Sequence, residues 1–129
     1  EIETQFCGGY CNDKNTRLVI RQVWESARYL IDPHTAVAFN VLARYRAETG
    51  DRTPTVVVST ASPFKFCDSV LEALGEQNIT KGVEVIDQLS QHTGIPAPAP
   101  LAALKNSTVR FKGSIAKEDM AEAVLKSLL

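Results

Sequence analysis

A run of three valines that feeds a polar turn and a capped helix constrains this chain more than any other feature. Thr55 to Phe66 reads T-V-V-V-S-T-A-S-P-F-K-F. Val56, Val57 and Val58 are β-branched and do not alternate with polar residues, the pattern of a strand buried on both faces. Ser59, Thr60 and Ala61 are small enough for a tight turn. Ser62 offers a side-chain oxygen to a helix N-terminus and Pro63 suits the first helical position. Phe66, Val70, Leu71 and Leu74 then form an apolar stripe at helical spacing. The stretch predicts a strand, a polar turn and a helix start. Open α/β sheets bind ligands at such places, where helix N-termini present free N–H groups beyond the carboxyl ends of strands.

Upstream, Gln5 to Tyr10 is a candidate strand in which Gly8 and Gly9 lower strand stability. Asn12 and Asp13 are N-caps for a helix whose buried stripe is Val19, Val23, Ala27 and Leu30, widened by Ile20, Trp24 and Ile31. Asp32-Pro33 opens a second helix that runs toward Arg46 or Glu48. Its inner side is small, with Ala36, Ala38 and Ala43 beside Val37, Phe39, Val41 and Leu42, and Gly50 stops it. Strand, helix, helix, strand, helix is the order of an α/β fold. The expectation is a partial three-layer αβα arrangement, a small mostly parallel sheet flanked by helices.

Downstream, a helix from Lys81 or Gly82 to about His92 turns Val85, Ile86 and Leu89 inward. Gly94 to Pro100 carries Pro96, Pro98 and Pro100 and predicts an extended surface strap. Thr108 to Phe111 predicts a short edge strand. Met120, Val124, Leu125 and Leu128 predict a terminal helix, with Glu118 and Asp119 complementing the helix dipole in its first turn.

Composition narrows the partners. In 129 residues, 44% hydrophobic and 22% charged content is that of a soluble globular domain. A formal charge of −1 argues against nucleic acid, because phosphate binding needs a basic surface. No apolar run approaches the roughly 18–20 residues of a membrane span. Glu1-Ile2-Glu3 carries two acidic residues with no apolar h-region after them, so no signal peptide is expected. The chain also opens in mid-pattern, as a processed chain or an excised fragment would. Cys7, Cys11 and Cys67 are an odd set that suits a reducing, cytoplasmic location. Cys7 and Cys11 lack the usual zinc-knuckle spacing and His34 and His92 form no ligand pair, so no metal site is expected.

Catalytic patterns are few. The sequence has no Gly-rich nucleotide loop, no P-loop, no G-x-S-x-G elbow and no paired carboxylates. His34 is either a general base or a hydrogen-bonded structural group. Lys65, one turn into the helix opened by Ser62, is either solvated or part of an anion site. Local chemistry alone supports an α/β domain with a polar helix-start site.

D-P-H-T-A-V-A at Asp32 to Ala38, followed by V-V-V-S-T-A-S-P-F-K-F at Val56 to Phe66, closely resembles the C-terminal part of threonine synthases. G-Y-C-N-D-K-N-T at Gly9 to Thr16, L-A-A-L-K-N-S-T-V-R-F at Leu101 to Phe111 and the terminal E-D-M-A-E-A-V are similar to the same family, so the likeness covers nearly the whole chain. The resemblance implies a pyridoxal-phosphate enzyme of the tryptophan-synthase-β-like fold, which converts O-phospho-L-homoserine and water to L-threonine and phosphate. It implies that residues 1–129 are the C-terminal portion, with 1–95 in the α/β cofactor-binding domain and 96–129 a Pro-rich strap, short strand and helix. The family's Schiff-base lysine and its Gly/Asn-rich phosphate loop lie upstream. Neither motif occurs here, so the fragment alone is expected to be inactive and to need the preceding part of its own chain as partner.

By the same resemblance, Thr60, with Ser59 second, hydrogen-bonds the cofactor's pyridine nitrogen. His34 and Thr35 line the site near the ring or substrate, and Lys65 is the best local candidate for the substrate phosphate. One departure stands out. The family commonly reads S-T-A-H-P, and Ser62 replaces that histidine, so no role of the histidine carries over. As a cap, serine is better than a non-capping residue by about 1 kcal/mol. Two alternatives fit the same residues: a free-standing α/β binding module without catalysis, and a related pyridoxal-phosphate lyase with another amino-acid substrate.

Overall fold

The computed structural model describes residues 5–110 and 112–128. Helix α1 spans Asp13–Ala27, and Asn12 caps it by accepting the Asn15 N–H at 2.9 Å. It ends where Arg28 takes a left-handed φ of 51°. Leu30 and Ile31 therefore reach the core from the connection rather than from the helix, although both are buried as their apolar character predicts. Helix α2, Pro33–Thr49, starts at the Asp32 cap with proline in its first turn and ends at Gly50. The left-handed φ of 72° there suits glycine, whose N–H closes on the Arg46 carbonyl at 3.0 Å.

Ser62 caps as its position predicts, accepting the Phe64 N–H at 3.3 Å. What it caps first is a 3₁₀ turn, Pro63–Lys65, and helix α3 follows at Cys67–Leu74. A second 3₁₀ turn, Gly82–Glu84, leads into α4, Val85–Thr93. Helix α5 is the short Ala99–Ala102, and α6 is Met120–Lys126, preceded by a turn over Lys117–Asp119.

Helix α1 packs against both α2 and α3, and α3 packs on α4. The core where they meet is built from Ile20 of α1, Ala36 of α2, Phe64 and Cys67, Val70 and Leu71 of α3, and Val85, Ile86 and Leu89 of α4. Val70, Leu71 and Leu89 are fully enclosed. Ile95, Ala97 and Leu101 lay the proline-rich strap against the same core. No buried side-chain nitrogen or oxygen lacks a hydrogen-bond partner among the described residues. The terminal helix contrasts with this: Met120, Val124, Leu125 and Leu128 are all more than half exposed.

The expected α/β class is overturned. Among the described residues there is no strand and no sheet, so neither a three-layer αβα arrangement nor parallel pairing exists. Gln5 to Tyr10, Val56 to Val58 and Thr108 to Arg110 carry no ladder, and Phe111, the end of the last of these, lies outside the described residues, as do Glu1, Ile2 and Glu3. The physical reason is clearest at the valines. Val56 and Val58 are 88% and 71% exposed, and none of the described segments offers their N–H and C=O groups a backbone partner. A strand exists only as part of a paired ladder, whatever its own residues prefer. At Gly9 the constraint is different: a Cβ there would stand 2.6 Å from Val41 Cγ1, so the glycine permits close contact with α2.

Candidate functional site

The start of α2 gathers the polar groups. Asp32 is the one charged side chain buried among the described residues, with no exposed surface. Its Oδ1 accepts the His34 backbone N–H at 2.9 Å and lies 3.0 Å from His34 Nδ1. Its Oδ2 accepts the Thr35 hydroxyl at 2.5 Å. Burial pulls the Asp32 carboxyl up, but the Thr35 hydroxyl, the His34 ring and the backbone N–H groups of both residues outweigh it, and its pKa lies below the ordinary value. The His34 side chain is 62% exposed, and its ring meets Phe66 edge-on with centroids 4.9 Å apart.

Thr35 then reaches across to the turn after the valines, where its Oγ1 lies 2.9 Å from Ser59 Oγ. The structure thus joins His34, Thr35 and Ser59 through Asp32. Thr60, next in the chain, is exposed, and its hydroxyl has no partner among the described residues. Lys65 is not drawn into this group. It is exposed and borders a separate groove of about 630 Å³ lined also by Phe64, Asp68, Gly82 and Leu104. The residue that sequence reasoning passed over is Asp32, read only as a cap. Threonine three positions after it was the available signal, because side chains at the cap and at the third helical position meet.

An apolar groove of about 460 Å³ runs beside the site between α2 and the valine run, lined by Ala38, Val41, Leu42, Tyr45, Val56 and Val58 among others. Among the described residues no group of three or more histidine, cysteine, aspartate or glutamate side chains could hold a metal ion. None of the described helices is long and apolar enough to cross a membrane.

The threonine synthase C-terminal family matches residues 35–122, more than half of the chain and inclusive of Thr35, Ser59 and Thr60. The chain belongs to the threonine synthase family, as a fragment of its C-terminal part. It is 38% identical over 74 residues to the threonine synthase of Corynebacterium glutamicum, covering 57% of this chain and 15% of that one. It is 42% identical over 78 residues to the threonine synthase of Eremothecium gossypii, covering 57% of this chain and 15% of the other. A threonine synthase-like 1 protein of Mus musculus is 28% identical over 100 residues, 76% of this chain and 13% of its own length. The chain thus spans about 15% of the length of the first of these relatives.

Proposed function

We propose that this chain supplies one wall of the active site of a pyridoxal-phosphate-dependent threonine synthase, a cytoplasmic lyase that takes O-phospho-L-homoserine and water to L-threonine and phosphate. The observation that carries the reading is the hydrogen-bonded link from Asp32 through Thr35 to Ser59, which unites the two family motifs at one polar surface.

The donor set fits the pyridine edge of the cofactor. Thr35 has a single hydroxyl hydrogen and gives it to Asp32, so Ser59 must spend its own on Thr35. Thr60 has no such commitment, and it is the hydroxyl free to donate to a ring nitrogen. Bound pyridoxal phosphate supplies an electron sink, which a neutral hydroxyl at that nitrogen tempers more than a carboxylate would. His34 and Thr35 line the substrate side. Lys65 is free to meet a phosphate, from a groove separate from the hydroxyl group. The lysine that carries the cofactor, and the loop that holds its phosphate, come from the rest of the enzyme chain. That same remainder covers the apolar surface formed by Val56 and Val58.

The test is phosphate release from O-phospho-L-homoserine by the full-length enzyme, with the 129-residue chain alone as comparison. Turnover by the full-length enzyme and none by the fragment supports the reading. Release of no phosphate by the full-length enzyme, or equal activity with serine or threonine as substrate, overturns it.

A further inference from the structure

A helix cap does not require a buried carboxylate. Serine or asparagine caps as well as aspartate, and burying a charge has a desolvation cost that a neutral cap avoids. Asp32 nonetheless has a side chain without exposed surface, and its two oxygens are divided between two neighbours that reach solvent or the turn.

The division fixes hydrogen positions. An ionised carboxylate has no hydrogen to give, so the 3.0 Å contact with His34 Nδ1 places the proton on that nitrogen. In the neutral ring the lone pair is then on Nε2, at the far end of an exposed imidazole. Phe66 packs edge-on against the ring at 4.9 Å and restrains its orientation. On the other oxygen, the Thr35 hydroxyl donates, so Thr35 receives the Ser59 hydrogen at 2.9 Å and the Ser59 oxygen is left with its lone pairs to accept.

We propose that Asp32 is a positioning residue that sets both His34 Nε2 and Ser59 Oγ as hydrogen-bond acceptors toward the ligand. The complementary ligand group is a donor: an ammonium, a hydroxyl or a water. The assignment of a ligand to this surface rests on the function proposed above, whereas the hydrogen positions do not.

Ring-nitrogen NMR of the chain at about pH 8 reads the tautomer directly. His92, whose Nδ1 lies 3.5 Å from Glu76 Oε2, serves as an internal reference in the same spectrum. The expected result is an Nδ1–H tautomer at His34 in the unaltered chain. Asp32→Ser keeps a capping oxygen but is too short to hold both neighbours, and it should release that tautomer while leaving His92 unchanged. An Nε2–H tautomer in the unaltered chain, or an Asp32→Ser spectrum identical at His34, overturns the proposal. The first of these needs no variant to fold.

Asp32→Asn separates the two arms. Its oxygen can still face His34, but its NH₂ faces Thr35 and reverses the hydroxyl chain, so that Ser59 donates outward. The tautomer should survive, and kcat/KM of the full-length enzyme for O-phospho-L-homoserine should fall at least tenfold. An unchanged kcat/KM overturns the Ser59 arm. A full-length enzyme inactive on that substrate before mutation counts instead against the proposed function, and the tautomer result stands apart from it.

Discussion

Thr35 Oγ1 and Ser59 Oγ meet at 2.9 Å although 24 positions separate them in the chain. This contact fastens the turn after the valines to the capped start of α2, and it makes neighbouring hydroxyls unequal. Ser59 is engaged by Thr35, whereas Thr60 has no partner among the described residues, although both are exposed.

That inequality predicts opposite outcomes for two small substitutions. Ser59→Ala removes one hydrogen bond to a part-buried hydroxyl and should lower the chain's stability by about 1 kcal/mol in urea unfolding. Thr60→Val keeps the shape, removes no internal bond, and should change stability by less than about 0.5 kcal/mol. In the full-length enzyme Thr60 becomes the sensitive position: a cofactor titration should show weaker binding for Thr60→Val than for Ser62→Ala. Equal affinities would remove Thr60 from the pyridine nitrogen.

The core makes a plainer prediction. Leu71 of α3 and Leu89 of α4 have no exposed surface and lie where the helices meet. Truncation of either to alanine should cost about 2–5 kcal/mol, from lost burial and an unfilled cavity. Leu125→Ala, on a side chain 64% exposed, should cost less than about 0.5 kcal/mol. Urea midpoints of the three variants decide the matter, and similar losses for Leu125 and Leu71 would contradict this core.

The helices were legible in the sequence because their signals are local. Asn12, Asp32 and Ser62 all cap, Gly50 stops α2 with a left-handed backbone, and Val85, Ile86 and Leu89 face inward at helical spacing. The sheet was misread because a strand is not a local property. Val56 to Val58 have the residues of a buried strand, but the partners that make a strand lie in other segments, and none of the described ones pairs with them. The site was half legible. His34, Thr35 and Ser59 stand together around Asp32, whereas Lys65 lines a different groove. The organising role of Asp32 depends on its complete burial, which a cap signal does not reveal.

The three cysteines should differ in reactivity. Burial pushes the Cys67 thiol up to about 11, with the Asp68 charge adding to it, and its Sγ–H is given to the Phe64 carbonyl at 3.2 Å. The thiolate is the nucleophile, so Cys67 should resist alkylation at neutral pH in the folded chain. Cys7 is exposed and should be modified first. Iodoacetamide labelling followed by peptide mass spectrometry reads the order, and denaturant should bring Cys67 to parity. Labelling of native Cys67 as fast as Cys7 would show that the α3 start opens.

The valine surface should be silent in this chain and sensitive in the longer one. Val56 is 88% exposed, so Val56→Lys should shift the fragment's stability by less than about 0.5 kcal/mol. If the rest of the enzyme covers this face, the same lysine buries a charge and should lower the full-length protein's stability by about 2 kcal/mol or more. Thermal unfolding of both proteins with and without the substitution makes the comparison. A small effect in both would leave the valines facing solvent in the enzyme as well.

Acid sensitivity follows from Asp32. Burial opposes its ionisation, but the hydrogen bonds from Thr35 and His34 more than offset that and hold its pKa below the ordinary value in the folded chain. A depressed folded pKa binds fewer protons than the unfolded chain does, so its stabilisation is complete above the unfolded carboxylate's pKa of about 3.9 and fades as pH falls through the folded value. Asp51, held down chiefly by the Thr53 hydroxyl, and Glu76, held down chiefly by the Asn78 N–H, fade in the same direction. Asp32→Asn should therefore lower the urea midpoint at pH 7 and flatten, without abolishing, its decline in acid. The two curves should approach each other below about pH 3, where the native carboxylate is being neutralised too. Curves that stay parallel from pH 7 to that limit would mean that Asp32 is no more strongly ionised in the folded chain than in the unfolded one.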